Sequence, residues 1–387
     1  MSRKILVGGK AVVRIPIDGL REANAALRRT VNPRHEVEDL RAVCIQGRKG
    51  GGILYLSGTD MYVFSRVRVP AEVRRSVLWL VPYQELGQFI EAWRDDVLVS
   101  EGSGDLMFCS GADRLTVPLR QGEREFVERF PTDPEYQLRF RGLPRMVAAS
   151  YRMVNPTHNM ASMCGVHLVV EGERLTVEAS DGFSYVQLHG RGKAAKKSPS
   201  IDVVMHVGCG QLLPALPRDA YLGVSSSYFF YRCRLGSFGV NLMNVGPGEY
   251  NDLGEIPRPD STTVDVPTSE LSDAVRKIRM VGGELIRMEP LAGGIGIISR
   301  GGRSGGPVEY EGHLGAEVHG TMPPKIYLPT SFVSYLLSLN GKDDERLVLH
   351  MGTREEEHVW YESGDKSVRA LSVAYVMTRD WRESDGS

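Results

Sequence analysis

An excess charge of one sign, a cysteine pattern, a long apolar run and a catalytic signature are all missing from this 387-residue chain. Lys plus Arg total 47 against 48 Asp plus Glu, a net charge of -1. That balance gives no global reason to bind a polyanion, although a basic surface confined to one face stays open. The cysteines are five, Cys44, Cys109, Cys164, Cys209 and Cys233, with no C-x-x-C pair and no histidine nearby at metal spacing. Each sits in or beside an apolar stretch, where a free thiol packs as a small hydrophobe. No apolar run approaches a membrane span, and residues 1–10 (MSRKILVGGK) lack the apolar core of a signal peptide, so a cytoplasmic protein is expected.

Catalytic signatures are missing too. There is no G-x-S-x-G elbow, H-E-x-x-H pair or phosphate-binding G-x-x-x-x-G-K-[ST] loop. The glycine-rich segments 47–52 and 301–306 follow strands without opening a helix, so no helix N-terminus is aimed at an anion. The nine histidines are scattered, His167 and His206 reading as structural or surface residues of strands. Without a cluster of acid, base and nucleophile, no enzyme, metal or cofactor is expected.

What the chain does contain is a repeat. Residues 165–190 (GVHLVVEGERLTVEASDGFSYVQLHG) read as three strands joined by an acidic turn and a tight Ser180-Asp181-Gly182 turn. Residues 53–67 (ILYLSGTDMYVFSRV) have the same plan, with Asp60 standing 121 residues before Asp181. A degraded third copy falls at residues 293–308. A repeat of that length is a domain, and the chain length fits three.

Within each period the order strand, helix, three strands occurs twice. Helices are expected at 18–30 with Asp18 as N-cap, at 83–94, at 143–154, at 211–216, at 268–281 with Thr268 as cap, and at 330–339. One strand is expected over 309–318. The opening helix of each period carries cations on its polar side: Arg21, Arg28 and Arg29, then Arg145 and Arg152, then Arg276, Lys277 and Arg279. For any one helix this is an ordinary solvated face. Its recurrence points instead to sequence-independent phosphate attraction, weak and salt-sensitive.

The repeat, the element order and the strings LYLSGTD (54–60), GVHLVVEGERLTVEASDG (165–182) and AYVM (374–377) together resemble the bacterial DNA polymerase III beta subunit, the beta sliding clamp. The resemblance covers residues 10 to 381. It implies an α+β fold of three tandem DNA-clamp domains, at 1–132, 133–260 and 261–381, followed by a disordered polar tail at 382–387. It further implies a homodimeric ring around double-stranded DNA, a processivity factor that does no chemistry. DNA polymerase and the clamp loader would attach through short peptide motifs, with no membrane involved.

Carried over residue by residue, the resemblance places a peptide cleft at Met163, Ser180, Gly182, Phe183, Ser184, Tyr185, Pro329, Phe332, Val376, Met377 and Thr378, and more loosely at Pro247 and Leu253. Arg34 and His158, the latter beside Asn159, fall at DNA-facing loops, joining Arg21, Arg28, Arg145, Arg152, Arg276 and Lys277 of the helices. Met280 and Val281 fall at the dimer seam. Departures are specific: Phe183-Ser184 replaces the family's His-Arg, Thr378 replaces a proline, Asp252 falls where an arginine is usual, and the chain runs on past Trp381. These leave open a second reading, a clamp-fold paralogue acting as a specialised or inhibitory partner-binding protein.

Overall fold

The structure is a computed structural model and describes residues 11–120, 136–139, 142–194, 200–212, 221–245, 258–259, 261–302, 306–339, 346–352, 358–363 and 368–373. The chain forms two compact units, the first made of Met1–Pro144, Gly192–Ser200 and Gly208–Met243, the second of Arg145–Arg191, Ile201–Val207 and Asn244–Ser387.

Each unit is an α+β assembly of one long and one short antiparallel sheet. In the first unit the long sheet runs Lys193–Ala194, Tyr136–Arg139, Tyr221–Val224, Tyr228–Cys233, Gly236–Met243, Val63–Pro70, Ile53–Thr59, Ala42–Gly47, Val77–Pro82. Its short sheet runs Glu72–Val73, Val13–Ile15, Val97–Glu101, Asp105–Ser110, Asp113–Pro118. Strand alternation settles the faces: Leu54, Leu56, Val67 and Val69 are at most 1% exposed, while Tyr55, Arg66 and Arg68 point the other way.

The helix Ile17–Leu27 lays Leu20, Ala23 and Leu27 against Ile53–Thr59 and Val63–Pro70. Its contact with the helix Tyr83–Ala92 is polar and closed: buried Asn24 donates to the Gly87 carbonyl (3.0 Å) and accepts from the Tyr83 hydroxyl (2.9 Å). Burial pushes that phenol up to about 12, so it remains a donor at any neutral pH. Trp93, at the end of the second helix, stacks on Phe108 of the short sheet at 6.3 Å.

In the second unit the long sheet runs Ile201–His206, Gly165–Glu171, Arg174–Ser180, Ser184–Arg191, Val368–Val373, His358–Glu362, Arg346–Met351, Thr262–Pro267, Glu317–Gly320. The short sheet runs Val308–Leu314, Gly294–Gly301, Leu285–Leu291, Ile326–Pro329. The helices Thr268–Val281 and Thr330–Leu339 pack on each other, burying Leu271, Ala274, Val275 and Ile278 of the first and Phe332, Val333 and Leu336 of the second.

Three local expectations are corrected. Asp18 and Thr268 are not caps: the helices start two residues and one residue earlier than caps there would allow, with Pro16 and Pro267 at the N-cap positions and no side-chain cap. The fixed proline φ supplies the extended entry that a capping side chain otherwise selects. The strand expected over 309–318 is two strands, Val308–Leu314 in the short sheet and Glu317–Gly320 in the long one. The chain changes sheets at Gly315, whose N–H donates to Glu270 Oε2 (2.9 Å). The helix expected over 143–154 is α-helical at Leu143–Ser150 and tightens into a 3-10 turn at Tyr151–Met153. The expected helix over 211–216 is described only as Cys209–Leu212.

The repeat seen in the sequence is a repeat of hydrogen bonds. In one turn Thr59 Oγ1 donates to the Val63 carbonyl (2.8 Å) and accepts from Met61 N (2.9 Å), while Asp60 Oδ1 accepts from Tyr62 N (2.9 Å) and Val63 N (2.8 Å). In the other, Ser180 Oγ donates to the Ser184 carbonyl (2.9 Å) and accepts from Gly182 N (3.1 Å), while Asp181 Oδ1 accepts from Phe183 N (2.9 Å) and Ser184 N (2.6 Å). Both turns need a left-handed residue after the aspartate, Gly182 at φ 92° and Met61 at φ 79°. A side chain there is strained, at a cost of about 1 kcal/mol. Met61→Gly is therefore expected to raise stability by about 0.5 kcal/mol after the entropy gained by the unfolded chain is subtracted. Gly182→Ala should lower it by about 1–2 kcal/mol, since its Cβ would also lie 3.0 Å from His158 Nε2. Denaturant unfolding followed by circular dichroism reads both.

Candidate functional site

Two strands of the second unit's long sheet meet at the Ser180 to Ser184 turn, and a buried charged network anchors it from behind. Glu178, two residues before the turn, is 6% exposed. Its Oε2 pairs with His167 Nδ1 (2.8 Å), and its Oε1 accepts from the Tyr185 hydroxyl (2.6 Å) and from the Gln187 amide. His167 Nε2 in turn meets Asp202 Oδ1 (2.6 Å). Four neighbouring strands are thus tied on one face by side chains as well as by backbone.

Burial opposes the charged form of His167, but Glu178 and Asp202 outweigh it and hold its pKa above the ordinary value. Burial likewise opposes ionised Glu178, but hydrogen bonds from His167, Tyr185 and Gln187 outweigh it and hold its pKa low.

Around the turn, Gly182 and Phe183 face solvent, Phe183 being 54% exposed. Ser184 is buried and its hydroxyl lies 3.3 Å from that of Ser372 in the neighbouring strand Val368–Val373. Tyr185 is buried with its hydroxyl committed to Glu178. The loop before Gly165–Glu171 lies against the turn: His158 Nε2 faces Gly182, His158 Nδ1 accepts from Met160 N (3.1 Å), and the Cys164 thiol donates to the His158 carbonyl (3.2 Å). Met163 is buried in this loop, and Met160 is 43% exposed. Pro329 ends the strand Ile326–Pro329 and is half-buried, whereas Phe332 is 1% exposed on the core side of its helix. Pro247, Leu253, Val376, Met377 and Thr378 lie outside the described residues.

The expected DNA-facing cations divide into committed and uncommitted groups. Arg21 donates to the Trp93 carbonyl and Arg28 pairs with Glu91, so both hold the helix Tyr83–Ala92 in place. Arg276 pairs with Asp273 one turn back (3.0 Å). By contrast Arg34, Arg145, Arg152 and Lys277 are exposed, and no ion pair engages them among the described residues. His158 is half-buried beside the turn. Met280 is 76% exposed at the end of Thr268–Val281, next to half-buried Val281.

Sequence reasoning left His167 as a structural or surface residue and missed Glu178. The signal was available: a glutamate alternating with Leu175, Val177 and Ala179 opposite a histidine on the adjacent strand. Among the described residues no group of three or more His, Cys, Asp or Glu could hold a metal ion. No disulfide joins the cysteines, of which Cys44, Cys109 and Cys209 are buried. No described helix is long and apolar enough to cross a membrane.

The pKa directions fix a pH dependence. The His167 contribution is complete below its ordinary 6.5 and is lost as pH rises through the raised value, while that of Glu178 is complete above its ordinary 4.5 and is lost as pH falls. Glu178→Gln is expected to destabilise by about 3 kcal/mol, the scale of breaking a buried pair. The stability gap between the native chain and a His167→Gln, Glu178→Gln double variant should be widest between pH 4.5 and 6.5 and shrink on both sides, as read by thermal melts across pH.

No family model matches the chain, and no curated protein matches it by sequence. Solved structures do match. The DNA polymerase sliding clamp of Bacillus subtilis superposes with TM-score 0.81 at 13% identity, covering 95% of this chain and 99% of that one. The DNA polymerase III beta subunit of Thermotoga maritima gives 0.79 at 14% identity, covering 95% and 100%. The Helicobacter pylori beta clamp bound to a DNA ligase peptide gives 0.77 at 11%, covering 94% and 100%. Along nearly its whole length, the chain has the fold of the DNA polymerase sliding clamps.

Proposed function

We propose that this protein is a divergent sliding clamp, a ring that encircles duplex DNA and tethers DNA polymerase and other replication or repair proteins without doing chemistry itself. What carries the reading is the extent of the fold match, since it accounts for 99% of the solved Bacillus subtilis clamp chain rather than for a shared module. In this reading the chain comprises three clamp domains, at 1–132, 133–260 and 261–381, and two copies close head to tail through the Met280 and Val281 end of the helix Thr268–Val281. Met280 is 76% exposed at that end, so it is accessible to such a seam.

Closure makes weak contacts sufficient: a ring leaves DNA by opening, not by losing phosphate contacts one at a time. The cations without ion pairs, Arg34, Arg145, Arg152 and Lys277, then position the duplex, while Arg21 and Arg28 are held by Trp93 and Glu91. The turn at Ser180, Gly182 and Phe183, with Pro329 and the segment containing Met377, supplies the groove for partner peptides with Leu and Phe anchors. The protein acts in the cytoplasm, where the DNA is. A specialised partner-binding paralogue is the second reading, favoured by the departures at Phe183, Ser184 and the polar tail: Phe183 stands exposed where clamps of this kind carry a histidine, which changes what the groove accepts.

Light scattering should give twice the 42.8 kDa chain mass at micromolar concentration, a monomer arguing against a closed ring. Once loaded, the protein should be retained on closed circular DNA and lost when the circle is cut, whereas equal retention would remove the topological reading. Phe183→Ala with Met377→Ala should weaken a Leu- and Phe-containing polymerase peptide at least about tenfold by calorimetry, and unchanged affinity would sink the groove assignment.

A further inference from the structure

Two loops, one in each unit, are built on the same string: Val31-Asn32-Pro33-Arg34-His35 in the first and Val154-Asn155-Pro156-Thr157-His158 in the second. Their hydrogen bonds match one for one. The asparagine carbonyl accepts from the histidine N–H, at 3.1 Å in both loops. The asparagine Oδ1 accepts from the N–H two residues on, Arg34 at 2.9 Å and Thr157 at 3.2 Å. The histidine Nδ1 accepts from the N–H two residues beyond itself, Val37 at 3.0 Å and Met160 at 3.1 Å. Either loop is thus closed by its own residues, as short polar side chains close turns elsewhere.

What the histidine ring rests on differs. In the second unit a Cβ added to Gly182 would lie 3.0 Å from His158 Nε2 and 3.5 Å from its Cδ2, so the edge of the imidazole is seated on the bare backbone of the turn. The equivalent position of the first unit's turn is Met61, which carries a side chain and is 46% exposed. The first unit closes the same loop without that glycine, so the seat is not a requirement for forming the loop. The two segments that the seat joins each carry an exposed apolar residue. Met160, two residues after His158, is 43% exposed, and Phe183, directly after Gly182, is 54% exposed. Apolar side chains on adjoining loops lower their free energy by closing on each other, and these two have not closed.

We propose that His158 is a positioning residue of the partner groove, its ring a spacer that holds the loop of residues 155–164 off the Ser180 to Ser184 turn, so that Met160 and Phe183 stay open to the apolar anchors of a peptide. The proposal rests on the peptide-groove reading above. A lip held open in advance binds without first separating its own apolar side chains, which is the gain from preorganisation. The resemblance places His158 at a DNA-facing loop, but its Nδ1 is engaged as an acceptor and its other edge lies on Gly182. A ring in that state is uncharged and brings no cation to a phosphate.

Calorimetry on the full chain with the Leu- and Phe-containing polymerase peptide, read beside thermal melts, tests this by separating the ring from the acceptor. His158→Asn keeps an oxygen where Nδ1 stands but has no ring edge, so it should melt close to the native chain and yet bind about tenfold more weakly. His158→Phe keeps the ring without the acceptor, so it should bind within about threefold of native whatever its melting temperature. His35→Leu disturbs the twin loop and should leave peptide affinity unchanged. Native affinity in His158→Asn, an equal loss in His158→Phe, or a loss of retention on closed circular DNA as large as the loss of peptide affinity would each overturn the proposal. Hydrogen exchange read by mass spectrometry needs no peptide: His158→Asn should raise exchange in residues 180–184, and unchanged exchange there would also overturn it. Should the native chain bind no such peptide, the groove reading falls, while the exchange result still decides whether His158 holds the loop and the turn in place.

Discussion

A β-strand with an unpaired edge is a template for unwanted association, and the repeats of this chain would each leave such an edge if they folded alone. The long sheets remove it by pairing across repeats. Ser184–Arg191 is completed by Val368–Val373 from the end of the chain, and Val63–Pro70 by Gly236–Met243. The rest of the second unit's candidate site depends on this pairing. It sets the Ser180 to Ser184 turn beside the last described strand, brings Ser372 to Ser184, and so joins two segments far apart in sequence.

The turn itself is held by local chemistry that could form in either repeat. Its aspartate and hydroxyl satisfy the backbone N–H groups, which leaves the solvent-facing positions free to vary, Phe183 in one copy and Tyr62 in the other. The network behind it is not shared. Glu178 and His167 occupy positions where the first unit has Ser57 and Cys44, so one scaffold supports a buried charged network in one unit and small uncharged side chains in the other. Replacing side chains on this face changes its polar chemistry while the opposite face, Leu54 and Leu56 or Val177 and Ala179, stays apolar and buried. Such divergence is compatible with full fold conservation at 11–14% identity.

Local pattern made much of the fold legible. Period-2 alternation located the strands, and apolar spacing located the helices of residues 83–92 and 330–339. Prolines at 16 and 267 misled the cap assignments because a fixed φ and a capping side chain serve the same entry geometry. The split of residues 308–320 was hidden because an alternating run looks the same whether its strands join one sheet or two. For the site, the Asp60 and Asp181 turns could be read from composition. The commitment of Arg21 to Trp93 and of Arg28 to Glu91 could not, since both partners lie more than 60 residues away.

The sequence by itself determined the unit of construction, the turn chemistry and which face of each strand is apolar, because these depend on side chains at most a few residues apart. Tertiary structure alone decided which strands are neighbours and which cations are neutralised. The physical reason is that period-2 alternation specifies a face but not a partner strand. Charge pairing and edge closure are properties of partners, and those are chosen only when distant segments settle into one register.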